Sequence, residues 1–400
     1  MSTTERDIFI SGGGIAGLCA AMAFADQGFT VTLADPAPPP SDADADGSDL
    51  RSTAFLQPAR QLMEQAGLWN HLALHATPLE TLRVIDCAGQ PPQIRTERAF
   101  QSTDLGENAF GWNLPNWLTR KLLTERLADT PGVDLRLGTG FQDILTRDRE
   151  ARVRLNGGTR LRTRLAIAAD GRNSPLREAV GIGTRITRYG QKALAFTVTH
   201  DLPHENISTE LYLAGGAFVL VPLPDYQGAH ASAVVWMNDG PEASRLAALD
   251  AEAFSEAATQ RSCGVVGALT LASPLRVWPV VTQQADRFTA RRTAIVAEAA
   301  HVLPPIGAQG LNTSLHDVAA LVDLAKADPD GLGSKSMLEA YEKSRARDVH
   351  ARANAIDLYN RICRSDAPPV QAMRSLGLKL VHDITPLRRG IMRAGLGRTA

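Results

Sequence analysis

Asp7-Ile8-Phe9-Ile10-Ser11-Gly12-Gly13-Gly14-Ile15-Ala16-Gly17 is the stretch on which the fold turns. Ile8-Phe9-Ile10 is a short apolar run of the kind that forms a strand buried on both faces, and Gly12 to Gly17 fits G-x-G-x-x-G. A helix-like stretch runs from Leu18 to Gln27. After Gly28, a second strand candidate spans Thr30 to Ala34 and ends on Asp35. Strand, turn, helix, strand and acid in this order predict a parallel βαβ unit that binds a dinucleotide. Gly12 permits the tight turn, Gly14 lets the backbone approach a pyrophosphate, and Gly17 lets helix and strand pack closely. The helix N-terminus adds free N–H groups and partial positive charge, and Asp35 stands where an acid meets ribose hydroxyls. The motif serves FAD and NAD alike.

The rest of the composition bounds the reading. Four hundred residues exceed one ordinary core, so two domains or one interrupted domain are expected. Hydrophobic residues at 44% and charged residues at 21% describe a folded protein rather than a disordered one. Lys plus Arg is 42 against 43 for Asp plus Glu, so no global field attracts nucleic acid. Cys19, Cys87, Cys263 and Cys363 are far apart in sequence without a CxxC pair, which suits reduced thiols rather than zinc or a disulfide framework. His71 and His75 have helix-face spacing but no third ligand nearby, so no metal is expected. Met1 to Asp7 is polar, and no run of about 18 apolar residues follows, so neither a signal peptide nor a membrane span is expected. Residues 36 to 49, rich in proline and then in acids, read as an exposed connection.

Two further stretches carry chemistry. Leu165 to Ala169 looks like a buried strand delivering Asp170-Gly171 to a turn, with Ser174 placed to cap the next helix. It is either a ligand-bearing turn at a strand's carboxyl end or a plain Asp-Gly turn. Thr293 to Ala297 is another strand candidate, followed by Glu298-Ala299-Ala300-His301-Val302-Leu303-Pro304-Pro305-Ile306-Gly307-Ala308-Gln309-Gly310-Leu311-Asn312. Its prolines and glycines predict a fixed loop that something flat can approach. Apolar spacing through Leu315, Val318, Leu321 and Val322 predicts a helix whose N-terminus faces that loop.

The fingerprint, the Asp170-Gly171 turn and the Glu298 to Asn312 loop, in this order, resemble the FAD-dependent aromatic hydroxylases of the para-hydroxybenzoate hydroxylase fold. Within that group the chain is most similar to the ubiquinone-biosynthesis hydroxylases. Asp49-Leu50-Arg51-Ser52-Thr53-Ala54, Tyr189-Gly190-Gln191-Lys192-Ala193 and Tyr341-Glu342-Lys343-Ser344-Arg345 support the likeness. The resemblance implies an α/β fold: a Rossmann-like FAD-binding domain with an inserted, mostly antiparallel β-sheet substrate domain and C-terminal helices. The implied FAD-binding segments are 1–72, 108–180 and 276–328, the substrate segments 73–107 and 181–275, and the helical end region 329–400.

For the cofactor, the resemblance implies that Gly12, Gly14, Gly17 and Arg51 hold the FAD pyrophosphate and Asp35 the adenosine ribose. Asp170 would support the second turn, and Glu298 would contact the ribityl chain, standing where the family has Asp after Ala297 in place of Gly. Pro305, Gly307, Gln309, Gly310, Leu311 and Asn312 would surround the isoalloxazine. For His301 a structural hydrogen bond within the loop is preferred to proton transfer. Phe196, Phe218 and Trp236 are candidates for the pocket wall, although strand aromatics more often pack in the core.

The implied chemistry is ring hydroxylation of a lipid-soluble polyprenyl phenol by molecular oxygen, through a flavin C4a-hydroperoxide, with NAD(P)H as co-substrate. Hydroxylation of a small soluble aromatic and a non-catalytic FAD-binding subunit of a quinone-biosynthesis complex are the alternatives. A halogenase is disfavoured, because Trp112 and Trp117 do not form WxWxIP. Gln371 to Ala400 carries six bases (Arg374, Lys379, Arg388, Arg389, Arg393 and Arg398) and one acid, Asp383, interleaved with leucines and isoleucines. That pattern suits either a basic tail packed on its own protein or one resting on an anionic membrane, which adds a cytoplasmic location at the membrane's inner face to the expectations.

Overall fold

Strand β1 (Thr3–Ser11) lies at the centre of a sheet whose core is parallel, with Ile8 opposite Leu165 on one side and Val31 on the other. The computed structural model describes residues 3–43, 45, 48, 49 and 51–397, so Leu50 and Arg398 of the stretches above lie outside the described residues. The sheet runs Thr289–Ala290, Thr293–Ile295, Arg160–Ala168, β1, β2 (Val31–Asp35) and Val133–Leu137. Ile8, Phe9, Ile10, Leu165 and Ile167 are wholly buried, as a strand covered on both faces requires. Helix α1 (Ile15–Asp26) begins directly after Gly14, not at Leu18, because the Gly14 carbonyl already accepts the Leu18 N–H at 3.0 Å. Thr30 stays outside β2; its hydroxyl and N–H are both bound to the Asp7 carboxylate. α1 is buried almost all round, between the sheet and the helices Asn116–Ala128 and Gln309–Ala327. Leu315, Val318, Leu321 and Val322 form the buried face of the latter.

The second sheet is nine-stranded and mostly antiparallel, with Thr184–His200, Ala229–Asp239, Gly216–Tyr226 and Ile207–Leu213 at its centre and Thr81–Ala88 joined to the last in parallel. It continues past residue 275: Arg276–Ala285 pairs with Thr184–His200, and His301–Val302 pairs with Arg276–Ala285. One face is covered by the helices Gly240–Ala247 and Ala251–Arg261. Phe196, Phe218 and Trp236 point to that side, Phe196 and Trp236 packing on Phe254 and Phe218 on Trp236, so they are core and not pocket wall. Alternation then turns Val84, Tyr212, Val219 and Val235 to the opposite face, toward the nucleotide-type sheet. The chain finishes in three helices, Lys335–Arg364, Pro368–Asp383 and Thr385–Leu396.

Candidate functional site

A cavity of about 2200 Å³ lies between the two sheets and reaches the last two helices. Two helices end on it. α1 starts at Gly14 and Gln309–Ala327 starts at Ala308, and neither N-terminus is capped by a side chain. Both therefore offer unpaired N–H groups and partial positive charge to whatever fills the space. Gly14 has no heavy atom within 4 Å of where a Cβ would stand, so bare backbone faces the cavity. Gly12 and Gly17 are glycines for another reason. A Cβ on Gly12, at φ 109°, would enter the Ala169 carbonyl, and one on Gly17 would enter the Gly12 carbonyl. Gly17 consequently holds the loop's shape and does not itself line the cavity.

Asp35 is fixed by its neighbours. One oxygen accepts the Gly13 N–H at 2.6 Å, and the other accepts the Ala37 N–H at 2.8 Å. Arg120, from the helix Asn116–Ala128, donates to the Gly13 carbonyl at 2.8 Å and the Ala37 carbonyl at 2.7 Å, and approaches Asp35 at 3.3 Å. It lines the cavity between fingerprint and acid, and sequence reasoning missed it because only the fold brings it there. Arg51 reaches the cavity too, with its guanidinium on the Asp49 carboxylate at 2.7 Å and over the Trp278 ring at 5.1 Å.

The Asp170 turn is built as an Asp-Gly turn with a capping serine, and its acid faces the cavity. Ser174 caps its short helix by accepting the Arg177 N–H at 3.0 Å, and Asp170 itself lines the cavity. One Asp170 oxygen accepts from the Ser11 hydroxyl at 2.8 Å and the Leu176 N–H at 3.2 Å; the other is buried with no protein partner. Burial pushes this carboxyl above its ordinary range.

The loop from Ala297 to Leu311 brings Glu298, His301, Pro305, Gly307, Gln309, Gly310 and Leu311 to the cavity. Asn312 is turned away. Its amide donates to the Ala54 and Ala308 carbonyls and accepts the Leu56 N–H at 2.8 Å, clamping the strand Ser52–Leu56 to the helix start. His301 is held across to the following helix, with Nε2 2.7 Å from the Asp317 carboxylate, and not within the loop as expected. Asp317 also accepts the Ala297 N–H at 3.1 Å and Arg345 Nε at 2.8 Å. A wholly buried carboxylate thus ties together the loop and two helices. Ala297 sits at φ 56°, in the left-handed region that favours glycine. Ala297→Gly is expected to raise stability by about 1 kcal/mol, read as a melting temperature higher by roughly 1–2 °C. An unchanged or lowered melting temperature would refute strain at this position.

An α/β nucleotide fold that turns two uncapped helix ends onto one long cleft, roofed by a second sheet, suits a protein that holds a dinucleotide beside a second ligand. The family described as FAD binding domain matches residues 5–355, and the chain belongs to it. It is 32% identical to ubiquinone hydroxylase UbiL of Rhodospirillum rubrum, covering 98% of this chain and 89% of that protein. It is 26% identical to 3-demethoxyubiquinol 3-hydroxylase of Escherichia coli, covering 99% and 100%. In fold it matches p-nitrophenol 4-monooxygenase PnpA from Pseudomonas putida with a TM-score of 0.80 at 17% identity, over the full length of both chains.

FAD fits the residues present. The bare Gly14 backbone suits a diphosphate, and the unpaired Asp170 oxygen and the open N-terminus at Ala308 await polar groups.

Proposed function

We propose that the protein is an FAD-dependent, NAD(P)H-using monooxygenase that hydroxylates the ring of a polyprenylated phenol on the way to ubiquinone. The observation that carries this reading is the size and continuity of the cavity. At about 2200 Å³ it far exceeds the roughly 300–1,000 Å³ that serves one drug-sized ligand, and it runs from the fingerprint to apolar walls under the last two helices. Bound FAD, once reduced, supplies the activation of molecular oxygen. The chain's part is to bind, orient and keep dry. Gly12, Gly14 and Arg51 would hold the diphosphate, Asp35 the ribose, Asp170 and Glu298 the ribityl side, and Pro305 to Leu311 the ring. Arg120 joins this set as the brace of Asp35. Val84, Val219, Val221 and Val235 exclude water from the place where the substrate ring would lie. In domain terms, 1–72, 108–180 and 276–328 would bind FAD, 73–107 and 181–275 the substrate, and 329–400 would close the far end, with Arg276–Ala285 serving the substrate sheet.

Cells lacking the gene should accumulate a prenylphenol short of one oxygen, cleared by the intact protein and not by a variant unable to hold FAD. Unchanged quinone pools, measured by mass spectrometry, would overturn the lipid-substrate reading in favour of a small soluble aromatic or a non-catalytic FAD-binding subunit.

The same reading places the last two helices on an anionic membrane at its cytoplasmic face. No helix among the described residues is long and apolar enough to cross a membrane. Met373, Leu376, Leu380, Ile384, Leu387 and Ile391 are exposed, at 71% for Met373 and 57% for Leu376, with exposed Lys379, Arg389 and Arg393 beside them. Two of the counted bases do not contribute, since Arg374 is buried against Asp86 and Arg388 is paired with Asp104 at 3.1 Å. The inner sides of these helices, through Leu378, Val381 and Met392, line the cavity, so a lipid tail could pass between them. Leu376→Asp with Leu380→Asp should reduce binding to vesicles of mixed neutral and anionic phospholipid at least tenfold at low salt. Equal binding by the double variant would refute this contact.

A further inference from the structure

The cavity face of the substrate sheet is apolar along Gly216–Tyr226 and Ala229–Asp239, through Val219, Val221 and Val235, and polar along the neighbouring strand. Along Ile207–Leu213, alternate residues Ser208, Glu210 and Tyr212 face inward, and the Glu210 carboxylate accepts a hydrogen bond from the Tyr212 hydroxyl at 2.5 Å. Beside it, Asp86 from Thr81–Ala88 is committed to Arg374 at 2.5 Å. Glu210 is 92% buried, and among the described residues no cation pairs with it. A buried carboxyl that faces a substrate cavity without a counter-ion carries a desolvation cost that folding alone does not require. Its chemistry suits a neutral hydroxyl donor. A phenol brings such a donor, whereas a carboxylate-bearing aromatic would be repelled.

We propose that Glu210 binds the ring hydroxyl of the phenolic substrate and takes its proton. This rests on the ring-hydroxylase reading above and adds to it a residue that recognises and activates the substrate. The phenolic O–H bond breaks and the proton passes to the free Glu210 oxygen, while Tyr212 continues to donate to the other. The electron pair stays on the substrate oxygen and spreads to the ortho and para ring carbons, which become better nucleophiles toward an electrophilic oxygen. The proton returns to the product oxygen as the hydroxylated ring leaves, so no oxidant beyond that of the parent reaction is needed. Burial raises the Glu210 carboxyl, with the Tyr212 hydroxyl opposing, which makes it a stronger base toward a phenol than an exposed carboxylate. The other ionisable groups facing this pair are Asp86 and Arg374, with Tyr359 and Cys363 from Lys335–Arg364; the Tyr359 ring lies 5.5 Å from that of Tyr212.

The test uses the FAD-loaded enzyme, a geranyl-substituted phenol as substrate and its methyl ether as a ligand with no proton to give. Glu210→Gln should lower the rate of hydroxylated product about a hundredfold at neutral pH, with FAD content and methyl-ether binding unchanged. The deficit should shrink toward pH 10, where the phenol ionises unaided. Tyr212→Phe, which keeps the carboxylate, should cost about tenfold. A Glu210→Gln enzyme within threefold of the parent, or one with the same deficit at every pH, overturns the proposal while the hydroxylase reading stands. A parent enzyme that hydroxylates no prenylphenol overturns that reading and this proposal together.

Discussion

Gly14→Val is expected to strip the protein of FAD while leaving its fold intact. Gly14 has φ −72° and ψ 172°, extended backbone that valine adopts without strain, and nothing stands within 4 Å of its Cβ position. The added isopropyl group would occupy the open space proposed above for the cofactor's diphosphate. FAD affinity should fall about a thousandfold, on the order of 4 kcal/mol, with the melting temperature of the apoprotein unchanged. Gly17→Ala is the contrasting case. Its methyl group would be forced into the Gly12 carbonyl, so it should cost about 3 kcal/mol of stability and lose FAD through the displaced loop. Flavin absorbance per protein after purification, together with apoprotein melting, separates the two. A Gly14→Val protein that keeps stoichiometric flavin would refute the cofactor's position.

Asp317→Ala should be the most destabilising single change outside the fingerprint. The carboxylate receives His301, Arg345 and the Ala297 N–H with no access to solvent, and its removal leaves the buried Arg345 guanidinium with only the partly exposed Asp348 as counter-ion. Breaking such a pair costs about 3–5 kcal/mol, or roughly 5–10 °C in melting temperature, and frees the loop that carries Glu298 and Pro305. Burial by itself would raise the Asp317 carboxyl, but His301 and Arg345 outweigh it and hold it below its ordinary value. A depressed native value means that this network stabilises the fold fully above the unfolded carboxyl's value of about 4. Its contribution is lost as pH falls from there through the native value. Acid unfolding of the parent should therefore steepen below about pH 4, and that component should vanish in Asp317→Ala. If both proteins unfold along the same acid curve, the network carries none of the pH dependence.

How much could be read beforehand followed from distance along the chain. The fingerprint, Asp35, the Asp170 turn and the Ala297 to Leu311 loop are each continuous stretches, so turn chemistry and residue size exposed them. Arg120 and Asp317 act on partners that only tertiary packing supplies, and a lone Arg or Asp on a helix carries no mark of that. The strand aromatics were left between two readings for another reason. Alternation along Gly216–Tyr226 separates Phe218 from Val219, but both faces are apolar because helices cover one and substrate space the other. Period alone could not say which face was which, and the bulkier residues went to the helices. Glu210 was passed over as one acid among many, since its burial shows only in the folded sheet.

The pairing of β1 with Arg160–Ala168 bears on how the protein is made. Ile8-Phe9-Ile10 leaves the ribosome well before Arg160–Ala168, its partner along one edge, so that edge of β1 stays unpaired until residue 168 has emerged. The cleft proposed for the cofactor takes longer still to assemble, because Gly12 and Gly14 line it together with Pro305 to Leu311, so the fingerprint emerges long before the rest of the site it belongs to.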